Sequence, residues 1–412
     1  MKTILHSDLN NFYATCEQVF NPALKDCFLG VCGSVKDRHG IILAKNNKAK
    51  ALGIKTGMTI KDAKDLCSDL VLVEADFDKY LDYSQKVRKI YLEYTDFVEP
   101  FGIDEAWLDV TNSKIFGDGE KIANEIRERV KKLGLTCSVG VSFNKIFAKL
   151  GSDMKKPDAT TVISYDNYKD TVWNLPCSDL LMVGRKTAQK LGKFNVKTIG
   201  DLAKMDDKFL VKTFGKWGQM LSIYANGLDN SPVKRYEDYD EIKSVGNSMT
   251  CYRDLTDIED VHIMFSVLAD SVSSRVLRKN LGRASTVSIS IRDENLQSFT
   301  RQAKLNPPSS FADDVLNLAM RLFKENYDFQ KGIRSLGISV SDFAEESSQL
   351  SIFENPEEYE KKKKLAQTLG DIRDRYGSTS LQKAINLKDK RIAREDPEKE
   401  HTIHPQGFTS KH

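Results

Sequence analysis

Apolar positions change their period along this chain, and each change of period marks an element. Residues 2–9 form a short extended run through Ile4 and Leu5 that ends at Asp8 and Leu9. Residues 10–75 carry much Lys and Gly, with Asn46-Asn47 in their middle, and read as an insertion. From residue 78 the pattern becomes regular: Tyr80, Tyr83, Val87, Ile90 and Tyr94 recur at helical spacing. Phe97–Pro100 and Ala106–Val110 then predict two strands around Phe101-Gly102. Ile122, Ile126, Val130 and Leu133 predict a second amphipathic helix, followed by a strand over 136–141, a helix through Phe147 and Leu150, and a strand over 160–163. The order β, α, β, β, α, β is that of a ferredoxin-like sheet. Such a sheet carries helices on one face and is expected to leave the other open to a large substrate.

Residues 171–229 predict helices broken at Val183-Gly184 and Phe214-Gly215, hence two short helix-turn-helix hairpins. Asn226-Gly227 and Ser231-Pro232 close this segment, and a linker follows to about residue 241. A second β-rich unit has strands expected near 243–252, 284–292, 297–304 and 333–342. Its helices show apolar stripes, one through Ile258, Val261, Phe265, Leu268 and Val272, the other through Phe311, Val315, Leu318 and Leu322. Arg283, Arg292, Arg301, Lys304, Lys331 and Arg334 fall in its strands and turns, so a basic sheet face is expected. Beyond 343, Glu, Ser and Lys dominate, which predicts a Glu/Lys-rich helix at 357–369 within a loosely attached tail.

Composition narrows the class. At 412 residues the chain has room for two to four domains, and 40% hydrophobic with 29% charged residues is a globular balance. No apolar stretch approaches the roughly 20 residues of a membrane span. The opening Met-Lys-Thr-Ile-Leu-His-Ser-Asp meets an acid too soon for a secretion signal, so a cytoplasmic protein is expected. Seven cysteines, an odd number without C-x-x-C spacing, argue for reduced thiols rather than a disulfide framework or a zinc site. The net charge of +3 selects no partner by itself.

Asp8 at the end of the first strand and Asp104-Glu105 at the start of a hairpin strand could meet across adjacent strands. Three carboxylates are the hard oxygen donors that hold two Mg²⁺ ions about 4 Å apart for nucleotidyl transfer. Neighbours in a regular strand point to opposite faces, so Asp104 and Glu105 can act together only where the strand begins. Taken alone, the triplet also fits a ferredoxin-like nucleotide cyclase.

The wording around these acids is more specific. Asp8-Leu9-Asn10-Asn11-Phe12-Tyr13, Gly102-Ile103-Asp104-Glu105-Ala106-Trp107-Leu108-Asp109, Ser138-Val139-Gly140-Val141-Ser142-Phe143-Asn144-Lys145 with Ala148-Lys149, and Ser152-Asp153-Met154-Lys155-Lys156-Pro157 stand in order. These four segments resemble the motifs of the Y-family of bacterial DinB-like translesion DNA polymerases, and the resemblance covers roughly residues 1–343. It implies an α+β right-hand polymerase. The palm would be residues 1–9 and 76–165, the fingers 10–75, a helix-hairpin-helix thumb 166–230, a linker 231–241, a little finger 242–343, and a tail 344–412.

The resemblance further implies primer extension from deoxynucleoside triphosphates on primer-template DNA, with low fidelity and bypass of damaged bases in repair. Asp8, Asp104 and Glu105, with the backbone carbonyl of Leu9, would hold the two Mg²⁺ ions. Phe12 and Tyr13 would border the nucleotide, Tyr13 as steric gate against a 2′-hydroxyl. Lys45, Asn47, Lys50 and Lys156 would face the triphosphate. The family usually offers Thr, Tyr and Arg where this chain has Ala44, Asn47 and Lys50, so an unusually assembled triphosphate pocket is expected. Gly102 stands where Ser is common, and Met182 where the first hairpin usually has Gly.

Turn amides and basic residues of such hairpins bind DNA phosphates without reading sequence. Gly184, Arg185, Lys186 and Lys216 are therefore candidates, joined by Arg283, Arg292, Arg301 and Arg334 on the second unit. Gln349-Leu350-Ser351-Ile352-Phe353 resembles the bacterial sliding-clamp binding peptide, with Gln349, Leu350 and Phe353 as anchors. A monomer acting away from membranes is expected. A DNA- and clamp-binding scaffold with a decayed nucleotide pocket is the alternative.

Overall fold

The computed structural model describes residues 2–33, 40–238, 241–344, 355–377 and 380–393. They fall into two compact units, divided between residues 238 and 241.

The first unit opens with β1 (Ile4–Leu9), buried along its whole length. Its alternation turns Leu5 and Leu9 into one core and Ile4 into another. The segment expected as an insertion begins with α1 (Phe12–Phe20), whose Phe12, Ala14 and Cys16 pack into the same core as β1. It continues through β2 (Leu29–Cys32), β3 (Ile42–Lys45), α2 (Asn47–Ala51), α3 (Ile60–Leu66) and β4 (Val71–Glu74). Those strands make a sheet of order β3-β2-β4 over a small core of Cys32, Ile42, Ala49, Ile54, Ala63, Cys67 and Leu70. The central Asn46 caps α2 by accepting the Ala49 N–H.

The main sheet follows. After α4 (Phe77–Leu92) come β5 (Val98–Pro100), β6 (Glu105–Asp109), α5 (Gly119–Lys132), β7 (Cys137–Ser142), α6 (Lys145–Met154) and β8 (Thr160–Ile163). The strand order is β5-β6-β1-β7-β8, with β1 antiparallel to both neighbours. Apolar stripes of α4 and α5 (Tyr80, Val87, Tyr91, Ile122, Ile126, Val130) cover one face. The other face is not left open as the helix order suggested, because α6 packs against β1 and β7 on it. Gly140 permits this approach: a Cβ there would lie 1.9 Å from the Ala148 carbonyl oxygen. Trp107 Nε1 donates to the Lys145 carbonyl at 2.9 Å and anchors the start of α6.

Helices α7 (Tyr168–Val172), α8 (Arg185–Gly192), α9 (Ile199–Ala203), α10 (Asp207–Phe214) and α11 (Lys216–Ala225) share a third core through Leu180, Leu191, Leu202, Leu210 and Leu221. The predicted breaks at Gly184 and Gly215 are the N-caps of α8 and α11. Part of the expected linker is packed: Val233 is buried with Ile4, Trp107 and Ala148, and the Lys234 N–H donates to Glu99.

The second unit contains β9 (Ser244–Leu255), α12 (Ile258–Arg278), β10 (Arg283–Asp293), β11 (Ser298–Ser309), α13 (Ala312–Asn326) and β12 (Ile333–Ala344). Its antiparallel sheet has the order β11-β10-β12-β9. Val287, Ile289, Ile291, Leu336, Ile338 and Val340 turn inward to meet both helices. The residues expected as a loose tail include α14 (Pro356–Tyr376) and α15 (Lys390–Ala393). Ile392 and Ala393 are buried in the core of the unit, Asp389 accepts the Tyr252 hydroxyl, and Lys383 pairs with Asp270 and Asp313. Two apolar residues and a set of acids on α12 and α13 are enough to dock a segment whose composition is otherwise polar. The clamp-like peptide 349–353 lies outside the described residues.

No disulfide joins the seven cysteines, and six of them are buried. No helix among the described residues is long and apolar enough to cross a membrane.

Candidate active site

Strand pairing sets Asp8 directly opposite Glu105, and the Leu9 N–H donates to the Asp104 carbonyl at 3.0 Å. Asp104 immediately precedes β6, so it escapes the alternation that would separate it from Glu105. Gly102 sets up this entry with φ of 103°, in the left-handed region where a Ser would be strained. The turn is held by Arg88, which donates to the Gly102 carbonyl at 2.8 Å, and by the Ser84 hydroxyl on the Ile103 carbonyl.

Cations already answer these carboxylates. Lys149, carried in by α6, lies 2.7 Å from Glu105 Oε2 and 3.2 Å from Asp8 Oδ2. Lys156 lies 2.7 Å from Asp8 Oδ1, and both lysines also reach Asp153. Burial opposes the charge on Lys149, but Glu105, Asp8 and Asp153 outweigh it and hold its pKa above the usual value. Asp104 goes the other way: burial, then the nearby Glu105 and Asp8 charges, push its carboxyl up to about 7. Burial resists ionisation of Glu105 too, yet His6 and Lys149 together bring it down to about 2.

His6 is fully buried on β1, two residues before Asp8. Its Nδ1 lies 2.9 Å from Ser152 Oγ and its Nε2 lies 3.2 Å from Glu105 Oε2. Neither His6 nor Lys149 was given a role from the sequence. The signals were present: His6 shares the face of Asp8 by strand alternation, and Lys149 stands one helical turn after Lys145.

All-oxygen donors, with Asp104 held partly protonated near neutrality by burial and then by the Glu105 and Asp8 charges, fit hard divalent cations. Among the described residues no three His, Cys, Asp or Glu side chains are already closed to ligating distance. The oxygens of Asp8 and Glu105 are engaged by lysine instead.

The impB/mucB/samB family matches residues 7–153, and its C-terminal domain matches 242–352. DNA polymerase IV of Acetivibrio thermocellus is 48% identical over 397 residues, 95% of this chain and 99% of that protein. DNA polymerase IV 1 of Bacillus subtilis is 37% identical, over 94% of each chain. A Y-family DNA polymerase chimera of Dbh and Dpo4 superposes with a TM-score of 0.74 at 25% identity, over 83% of this chain and 99% of the chimera. The chain belongs to the Y-family of DNA polymerases. An insertion ternary complex of Dbh DNA polymerase shares the fold, with a TM-score of 0.58 at 24% identity.

In this Y-family chain the residues expected around the nucleotide divide into two groups. Tyr13 lies near Asp104, and its hydroxyl is raised to about 12 by burial and then by that carboxylate. Phe12 is buried beside it, at 5.8 Å between ring centroids. Asn47 accepts from Asn11 at 2.9 Å and so ties α2 to the start of α1. Lys45 donates to Thr56 at 2.8 Å, and burial followed by the Lys50 charge lowers its pKa. Lys48, a further lysine of this cationic stretch, pairs with Asp26. Lys156 sits among the carboxylates rather than apart from them.

On the expected DNA-binding side, Gly184 begins α8 without a side-chain cap, next to the first-turn residues Arg185 and Lys186. Met182 adopts φ of 70°, the conformation glycine would take freely. Gly215 and Lys216 open α11 in the same uncapped way.

The basic sheet face of the second unit is formed only in part, with Arg292 and Lys304 on it. Arg301 pairs with Ile289 in register and so shares the helix-facing side, where it covers the Phe299 ring and donates to Asn326. Arg283 donates to the Pro308 carbonyl and covers Tyr359. Lys304 pairs with Asp342, and Lys331 with Asp293. Arg334 is half-buried. Arg292 is exposed on the open face among Ser288, Ser290, Thr300, Gln302, Ser335 and Ser339. Counting basic residues did not reveal which face each would take.

Proposed function

We propose that this Y-family protein extends a primer 3′ end with deoxynucleotides on a DNA template, at low fidelity and past damaged bases, with Asp8, Asp104 and Glu105 as its acidic centre. The supporting observation is the register of β1 against β6, which brings the three acids to one end of the sheet. Two Mg²⁺ ions bound there would neutralise the triphosphate and activate the primer hydroxyl. The Leu9 carbonyl would complete their oxygen set.

The chain's own residues prepare that step. His6 and Lys149 keep Glu105 ionised, and Asp104 would serve as a cation ligand in its deprotonated form. Lys156 exchanges its contact with Asp8 for a triphosphate oxygen, and Lys45 and Lys50 add positive charge from the fingers side. Tyr13 closes the space beside the sugar. The hairpin amides and basic residues at Gly184, Arg185, Lys186 and Lys216 hold duplex phosphates, and Arg292 with its neighbouring hydroxyls does so on the second unit. Residues 349–353 bind a sliding clamp, on the strength of their sequence alone. The protein acts as a monomer in the cytoplasm.

Extension of a labelled primer with Mg²⁺ tests this reading. Synthesis dependent on template and on all four deoxynucleotides supports it, and an inert protein refutes it. Retention of all three acids disfavours a decayed scaffold.

A further inference from the structure

The ring of Tyr13 is not free to choose its position. Tyr80, on α4, is fully buried and stacks on it with ring centroids 4.5 Å apart and planes 10° from parallel. Phe77 meets both rings edge-on, at 5.8 Å from Tyr13 and 5.9 Å from Tyr80. Tyr80 is itself fixed at its far end, where its hydroxyl donates to Glu17 Oε1 at 2.8 Å. Glu17 is buried on α1, one helical turn after Tyr13, so both partners of Tyr80 project from the same face of that helix. Lys79 neutralises Glu17 from 3.6 Å.

We infer that Tyr80 is a positioning residue for sugar selection: its ring, locked by Glu17, backs Tyr13 and keeps it from swinging away from the space a ribose 2′-hydroxyl would need. The inference rests on the reading of Tyr13 as the steric gate. Its physical basis is the volume behind the gate. Without the Tyr80 ring, a space of aromatic size opens against one face of Tyr13, and a side chain with two rotatable bonds can enter it. Discrimination between ribose and deoxyribose then falls although Tyr13 itself is intact. The stacking is the operative contact, and the Glu17 hydrogen bond serves to hold the stacking ring.

The test compares incorporation efficiency of deoxynucleotides and ribonucleotides, as kcat/KM, in the full chain and in Tyr13→Ala, Tyr80→Leu, Tyr80→Phe and the double variant Tyr80→Leu/Glu17→Leu. The double variant removes the carboxylate that Tyr80→Leu would leave buried without its donor, and so guards against a simple failure to fold. Because the readout is a ratio within each preparation, partial loss of active protein does not move it. The expected result is that Tyr13→Ala relaxes sugar selection strongly. Tyr80→Leu and the double variant should each relax it roughly tenfold, the scale of a lost aromatic stack. Tyr80→Phe, which keeps the ring but loses the Glu17 hydrogen bond that holds it, should fall between the parent and Tyr80→Leu.

Relaxation by Tyr13→Ala together with parental selection in both Tyr80→Leu variants would overturn the inference and leave the gate standing. Parental selection in Tyr13→Ala would overturn the gate reading and this inference with it.

Discussion

Lys149 Nζ stands 2.7 Å from Glu105 Oε2, with the same ammonium 3.2 Å from Asp8 Oδ2, so one helix-borne cation bridges two acids that come from paired strands. Lys149 reaches them because α6 packs closely over Gly140.

Replacing Lys149 with Met should therefore expose an uncompensated negative site. In chelator the variant should lose about 3 kcal/mol of stability, the scale of breaking a largely buried ion pair. Added Mg²⁺ should raise its melting temperature more than it raises the parent's, since a divalent ion replaces the missing charge. Thermal melts with and without Mg²⁺ measure both effects.

Asp104 gives the site a dependence on pH. Its carboxyl is raised from 3.8 to about 7, so the folded protein keeps a proton that the unfolded chain has released. The stability linked to that proton is complete below about pH 4 and is lost as pH rises through about 7. Between pH 5 and 8, without metal, Asp104→Asn should gain on the parent by a few degrees in melting temperature, at about 2–4 °C per kcal/mol for a chain of this class. Melting curves at the two pH values check this, and an equal offset at both would count against the raised pKa.

Arg292 and Arg301 are adjacent in composition but not in surroundings. Arg292→Ala should weaken duplex binding and lower the slope of log affinity against log salt by about one. Arg301→Ala should change either quantity little, because its guanidinium is committed to Phe299 and Asn326. Fluorescence anisotropy at several salt concentrations separates the two.

The strand and helix pattern of the main sheet was legible because each element repeats its own period. Tyr80, Val87 and Ile90 mark α4, and the short runs at 98–100 and 105–109 mark the hairpin. The acids were legible through their motif and through their place at strand ends. Less legible was anything set by tertiary contact. The face taken by α6 depends on one glycine in β7, and the side of the sheet taken by Arg301 depends on the register of β11 against β10. The docking of Ile392 depends on a core that lies more than a hundred residues upstream in α12. Strands β2, β3 and β4 were not legible because each is only four residues long.

The central claim is that Asp8, Asp104 and Glu105 carry nucleotidyl transfer, and single-nucleotide primer extension with Mg²⁺ tests it most directly, alongside duplex binding by the same proteins. The parent should extend the primer. Asp8→Ala, Asp104→Ala and Glu105→Ala should each lower the rate by about a thousandfold or more, the scale expected on removing a ligand of the catalytic metal ions, while binding the duplex with near-parental affinity. Extension at the parental rate by Asp104→Ala or Glu105→Ala, in preparations shown to be folded, would contradict the account.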